Sequence, residues 1–336
     1  MDPDSVADVD RVPHGGSDDA ALLDFSANTN PRRPEGVSDV YEAALADATR
    51  YADDHPDYRE AAADYVGCDF EHIVPTAGGL AALRLAFGVT VAPGDRVLVP
   101  EPSFGEYARE IRLQGADPVG VAHDDLLDAD PGEVDAAVVC TPNNPTGELP
   151  DPDALRSFLS DCRAAAVPLV ADEAFLDFTD ATSLAGRDGV IVARSLTKMF
   201  GLPGIRAGFA AATGDLGERL RAARPAWGLS TPAAAVGAHC LRRTAFVERT
   251  RERVASERER LREALSSEYD VFPSDAPFLL LEVGDESVDC VIERAREGGV
   301  AVRDGRTFPR LNSHVRVAIR RPHENDRLLD ALLDDR

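Results

Sequence analysis

The chain has 336 residues, 44% of them hydrophobic, which is enough for a substantial core and excludes a globally disordered protein. Its 60 acidic and 36 basic residues give a formal charge of −24, the wrong sign for a nucleic-acid binder or for adsorption to an acidic membrane surface. The acidic start, MDPDSVADVD, resembles neither a secretory signal nor a basic transit peptide, and no apolar run approaches the roughly 20 residues of a membrane span, so a cytoplasmic protein is expected.

Residues 1–35 read as an irregular arm with turn signals at HGG and NTNP. Helical patterning follows at 36–49 and 57–66, and a helix at 80–89 stands behind a glycine turn. A short strand at 96–99 is expected to stop at Pro100. A helix at 107–114 and a strand at 118–121 come next. Short apolar strands then alternate with helices: strands at 136–140, 168–171, 189–194 and 208–212, with a helix at 151–165. Strands apolar on both faces and spaced by helices predict an α/β architecture with a mostly parallel sheet. After Pro232 the texture changes to one long charged helix over 233–266, then strands at 278–283 and 314–319 flanking a helix at 289–298. The expected organisation is an N-terminal arm (1–35) joining a small α+β domain (233–336), with a large domain (36–232) between them.

Five scattered cysteines, Cys68, Cys140, Cys162, Cys240 and Cys290, form no CxxC pair, so reduced thiols and no metal site are expected. Lys198 is the only lysine in the chain; all other basic charge is arginine. An acidic, almost lysine-free surface fits a protein kept soluble in concentrated salt, where ions screen self-repulsion, and a high-GC genome would also favour arginine. One retained lysine needs a chemical reason. A lysine amine condenses with a carbonyl carbon; a guanidinium does not.

The neighbours of Lys198 read SLTKMFGLPGIRAG from Ser195 to Gly208. This segment resembles the pyridoxal-phosphate (PLP) lysine signature of fold-type-I, aspartate-aminotransferase-like enzymes, and within them the threonine-phosphate decarboxylase family. The resemblance implies an α/β PLP fold with a seven-stranded sheet, Lys198 as the cofactor-bearing residue, and Ser195 and Arg206 on the cofactor phosphate. Asp172, at the end of an apolar strand in DEAFLDF, matches the carboxylate that anchors the pyridine nitrogen. Many aminotransferases carry a tyrosine where this chain has Phe175. Asn144 in TPNNPTG matches the partner of the ring oxygen O3′, and the backbone N–H groups of Gly79 and Leu80 at a helix start suit the phosphate. By the same match Tyr107 in EPSFGEY would stack on the ring. Tyr51 in RYADDHPDY would reach the site of a second subunit, implying a homodimer.

The segment GVAVRDGRTFPRLNSHVRVAIR resembles the decarboxylase family's closing motif. There Arg316 would grip the substrate carboxylate and Arg303 a phosphate or other distal anion, with Arg320 as a neighbour; alternation on a strand puts Arg316 and Arg320 on one face. HGGS and DFSANTNP resemble the family's opening, which implies His14 near a substrate phosphate and Asn30 near a carboxylate. The expected reaction is decarboxylation of L-threonine O-3-phosphate to (R)-1-aminopropan-2-yl phosphate for cobalamin. The alternatives are a PLP aminotransferase acting on histidinol phosphate or an aromatic amino acid, and a non-catalytic binding protein on the same fold.

Overall fold

The computed structural model describes residues 1–333; positions 334–336 of the expected C-terminal domain lie outside the described residues. In chain order the strands are β1 (Leu23–Asp24), β2 (Ile73–Thr76), β3 (Arg96–Glu101), β4 (Asp117–Ala122), β5 (Ala136–Cys140), β6 (Leu169–Asp172), β7 (Val190–Ser195), β8 (Gly208–Ala211), β9 (Asp270–Val271), β10 (Phe278–Glu282), β11 (Val300–Ala301), β12 (Arg303–Asp304) and β13 (His314–Ala318). Strands β2 to β8 form one seven-stranded sheet in the order β2-β8-β7-β6-β5-β3-β4. The run from β7 to β4 is parallel, and β8 lies antiparallel to both its neighbours.

Successive residues of a strand face opposite sides of the sheet. Val139, Ala171 and Val192 accordingly join one apolar cluster, while Val138, Val170 and Ile191 join another. Helices cover both faces: Ala61, Phe158 and Val236 belong to the first cluster, Ala82, Ala86 and Leu220 to the second. This double cover explains why β5, β6 and β7 are buried at every position. A second, antiparallel sheet has the order β12-β13-β10-β9, and β1 pairs in parallel with β11.

Four local expectations are corrected. Strand β3 does not stop at Pro100 but continues to Glu101. Its neighbour β5 pairs with it only at Val97 and Leu98, so the missing N–H of Pro100 deprives no partner on that side. The long helix expected over 233–266 is two helices, Thr231–Leu241 and Thr244–Leu265. Arg243 leaves helical geometry between them (φ −95°, ψ 57°). The first packs Gly237 against the Tyr58 ring, and the second buries Val254, Leu261 and Leu265, so two separate packing surfaces divide what reads as one charged run. Helices Gly214–Ala223 and Pro322–Leu333 were not expected, and the arm is not wholly irregular, because it supplies β1.

Candidate active site

Strands β5, β6 and β7 end side by side, and ligand sites in α/β sheets gather at strand carboxyl ends. Cys140, Asp172 and Ser195 are their last residues. Lys198 follows on the short helix Leu196–Met199. Asp172, Lys198, Asn144, Phe175, Phe104, His14, Arg303 and Arg316 all line one cavity of about 220 Å3. The N-terminal arm closes it with Val12 to Gly15 and Ser26 to Asn28.

Lys198 is half-buried, with its Nζ 5.7 Å from the centroid of the Phe175 ring. Burial pushes its pKa down to about 8, the Arg316 charge acts in the same direction, and the Asp172 carboxylate opposes both. Asp172 is buried, and that burial raises its pKa above the usual carboxylate range. Two donors hold it in place against that tendency: the Tyr107 hydroxyl at 2.6 Å and the Ala174 N–H at 3.0 Å.

A second group of residues converges at the start of helix Gly79–Thr90. Gly78 has φ +89°, and a Cβ there would lie 2.7 Å from Arg206 Nη2. A Cβ at Gly79 would lie 3.0 Å from Ser195 Cβ. The first-turn N–H groups at Gly79 and Leu80, the Ser195 hydroxyl and the Arg206 guanidinium therefore share one small space, a cradle suited to an anion. Ser195 Oγ also shares a hydrogen bond with Thr197 Oγ1 at 2.8 Å. Arg206 bonds the carbonyls of Pro203 (3.1 Å) and Ala77 (3.4 Å), and no carboxylate among the described residues pairs with it.

Arg303 on β12 and Arg316 on β13 stand in register across the small sheet. Arg316 donates to Asn144 Oδ1 and to the Ser26 carbonyl at 3.0 Å, while Arg303 donates to the Pro13 carbonyl at 2.7 Å. Both Nε atoms are buried without a partner, and neither guanidinium pairs with a carboxylate among the described residues. Burial lowers the pKa of both, that of Arg316 to about 9 with the nearby Arg303 charge contributing. Both cations lie over the Phe308 ring, at 5.3 and 5.4 Å.

Three expected contacts are not made. Tyr107 does not line the cavity: it is fully buried, its hydroxyl is spent on Asp172, and Phe104 meets its ring edge-on at 5.6 Å. Phe104, three residues earlier in the same motif, is the aromatic that faces the cavity. Asn30 is likewise occupied elsewhere, donating to the Met199 carbonyl (2.8 Å) and accepting from Arg253 (2.9 Å). Asn28, two residues earlier, lines the cavity with a buried Oδ1 that has no partner. Arg320 lies beyond the end of β13 and is held by Glu324 at 3.0 Å, outside the cavity. His14 does line the cavity, with Nε2 2.8 Å from Glu106 Oε1. Tyr51 does not reach its own subunit's cavity; it is 85% exposed and packs on the exposed Trp227 at 4.8 Å.

A half-buried lysine facing a buried carboxylate at the strand ends, beside an anion cradle, defines a carbonyl-cofactor enzyme of the α/β class. Residues 22–332 match the family Aminotransferase class I and II, and the chain belongs to that family. Histidinol-phosphate aminotransferase 2 of Archaeoglobus fulgidus is 31% identical, covering 94% of this chain and 93% of its own. The threonine-phosphate decarboxylase of Salmonella typhimurium is 33% identical, covering 93% of this chain and 90% of its own. Among solved structures, the histidinol-phosphate aminotransferase of Sinorhizobium meliloti in complex with pyridoxal-5′-phosphate superposes with a TM-score of 0.82 at 22% identity, covering 92% of this chain and 89% of that one.

The chain is a PLP-dependent enzyme of fold type I. Its residues fit the cofactor on three observations: a Cβ would fill the cradle at Gly78 and Gly79, Arg206 has no carboxylate partner among the described residues, and the pKa of the Lys198 amine is pushed down to about 8.

Proposed function

We propose that this enzyme decarboxylates L-threonine O-3-phosphate to (R)-1-aminopropan-2-yl phosphate, a building block of cobalamin, and works as a cytoplasmic homodimer. One observation carries the reading. Arg303 and Arg316 stand in register at the cavity, and among the described residues neither forms an ion pair with a carboxylate. Threonine phosphate brings two anionic groups, a carboxylate and a phosphate, and planar guanidinium groups suit both. Histidinol phosphate brings only a phosphate, and in its amino transfer the second anionic partner would be the acceptor 2-oxoglutarate, a dicarboxylate, instead of the same substrate.

Ser195, Arg206 and the amides of Gly79 and Leu80 would hold the cofactor phosphate, Asp172 the pyridine N–H, and Phe104 one ring face. Asn144 Oδ1 accepts from Arg316, which leaves the Asn144 amide N–H groups for the ring oxygen. When bound, PLP supplies the electron sink for the pair released as a bond at Cα breaks. Arg316 takes the substrate carboxylate and Arg303 the phosphate, so the two fix how Cα is presented. Phe308 beneath both cations and Phe104 beside His14 give the cavity wall apolar ring surface next to these charges. Loss of carbon dioxide requires a proton at Cα, and Lys198, with a pKa of about 8, is placed to carry it near neutral pH. Phe175 offers no hydroxyl at the wall where many relatives place a tyrosine, so Asn144 alone would meet the ring oxygen. Tyr51, exposed on its own subunit, would complete the phosphate cradle of the partner.

A second reading, amino transfer from histidinol phosphate, is favoured by the Archaeoglobus relative and by the same Lys198–Asp172 pair. A product assay with L-threonine O-3-phosphate and added PLP, in high salt and without any 2-oxo acid, separates the two. Carbon dioxide with aminopropanol phosphate is the expected result. No release, together with amino transfer from histidinol phosphate to 2-oxoglutarate, would establish the second reading instead.

A further inference from the structure

The chain carries an excess of negative charge, yet one groove is lined by arginine. It lies between residues 29–36, the loop after Lys198 at Gly201 and Pro203, and the start of helix Thr244–Leu265, with a volume of about 1270 Å3. Arg242 in its wall is claimed by Asp57 at 2.6 Å, Arg243 rests on His239, and Arg321 donates to the Pro31 carbonyl at 2.6 Å. The side chains of Arg32, Arg33 and Arg249 are exposed and have no hydrogen bond or ion pair among the described residues. Glu35 is the only carboxylate in the lining among those residues.

The uncompensated field is felt nearby. Arg253 has its pKa pushed down to about 10, first by burial and next by the charge of Arg32, with Arg321 adding to the repulsion. In a protein with a formal charge of −24, an unneutralised arginine cluster stores self-repulsion that a bound anion relieves. Several guanidinium groups along an open groove match a chain of phosphates, because each can pair with two oxygens.

We propose that this groove binds a small multiply charged anion of the polyphosphate class, a di- or triphosphate chain that is either free or carried on a nucleoside. The groove is tied to the catalytic lysine through the backbone. Asn30 N–H donates to the Lys198 carbonyl at 3.0 Å and its side chain to the Met199 carbonyl at 2.8 Å. Gly201, at φ +63°, sits so close to residues 30–32 that a Cβ would come 2.4 Å from the Arg32 carbonyl oxygen. An anion drawing on Arg32 and Arg33 pulls on the strip of chain that fixes the Lys198 segment. The proposal does not depend on which reaction the enzyme catalyses.

The test is calorimetric titration of the PLP-loaded protein with sodium tripolyphosphate, adenosine triphosphate, adenosine and inorganic phosphate, at the lowest salt that preserves the fold. One tripolyphosphate site per chain is expected, with phosphate at least tenfold weaker. Equal affinity for tripolyphosphate and adenosine triphosphate assigns recognition to the phosphates alone; tighter binding of the nucleotide adds a base contact. The double variant R33S/R249S should weaken binding at least tenfold, R33K/R249K should lose much less, and R303Q should leave it in place. Absence of binding overturns the proposal, as does binding that survives R33S/R249S or disappears in R303Q. Dissociation of the assembly in R33S/R249S, measured by light scattering, overturns it too, since the groove would then be a face between two copies.

Discussion

Because Lys198 is the only lysine, amine chemistry on this protein reports one side chain once the N-terminus is separated by peptide mapping. Its pKa, pushed down to about 8 from the usual 10.5, leaves on the order of a tenth of the amine free at pH 7, where an ordinary lysine leaves well under about a thousandth in the form that attacks a carbonyl. The assay is a short pulse of reductive methylation on cofactor-free protein between about pH 6 and pH 11, with the modified fraction of Lys198 read by mass spectrometry. Labelling should rise tenfold per pH unit and level off near pH 8. Two variants move the midpoint in opposite directions. Arg316→Leu removes a cation that disfavours the ammonium, so the midpoint rises toward 10.5; Asp172→Asn removes an anion that favours it, so the midpoint falls below 8. A half-maximum above pH 10 in the parent protein, or variants that leave it unmoved, would refute the claim that burial and these two charges set the amine.

The same shift has a stability consequence. The folded pKa lies below the unfolded one, so the half-buried ammonium costs its full amount below pH 8, and that cost disappears as pH rises through 10.5; Lys198→Met should stabilise the cofactor-free protein by about 3 kcal/mol at pH 7 and by little above pH 10.5 in urea unfolding. Gly78→Ala places a Cβ 2.7 Å from Arg206 at φ +89°, a strain of about 1 to 3 kcal/mol, and should weaken PLP binding about tenfold or more when followed by cofactor absorbance. Tyr107→Phe removes the 2.6 Å donor to buried Asp172 and should cost about 1.5 to 3 kcal/mol in chemical denaturation. If Tyr51 serves the neighbouring site, mixing inactive Lys198→Ala and Tyr51→Ala subunits should restore part of the activity, while separate incubation should not. A chain with 60 acidic residues and one lysine should lose its fold on dialysis to low salt, visible as loss of circular dichroism; full retention there would remove the case for salt adaptation.

Much of the sheet and of the cofactor side was legible because each feature is local in sequence. Strands β5, β6 and β7 announce themselves as short apolar runs, and parallel pairing brings their ends, Cys140, Asp172 and Ser195, to one edge. Lys198 could be singled out by its rarity alone. Choosing between neighbours was harder, since it depends on where an element begins. EPSFGEY offers two aromatics three residues apart, and the helix starts at Glu106; that leaves Phe104 in the preceding turn facing the cavity, while Tyr107 points inward to Asp172. A hydroxyl able to reach a buried carboxylate is what holds the tyrosine in the inward place. In DFSANTNP two asparagines compete, and Asn30 is drawn away by the Met199 carbonyl and Arg253, partners more than 160 residues distant. No local pattern encodes such a partner.

The same limit explains Arg320. Alternation along β13 puts it on the face of Arg316, but the strand ends at Ala318, and Glu324, four residues on, captures the guanidinium at 3.0 Å. A cation remains free for a ligand only where the fold withholds a carboxylate from it. Arg303 and Arg316 meet that condition at the cavity, and Arg32, Arg33 and Arg249 meet it in the groove beyond the Lys198 segment. In a chain this rich in Asp and Glu, neutralising partners are abundant, so arginines left without one mark the surfaces where an anion from solution is the missing partner.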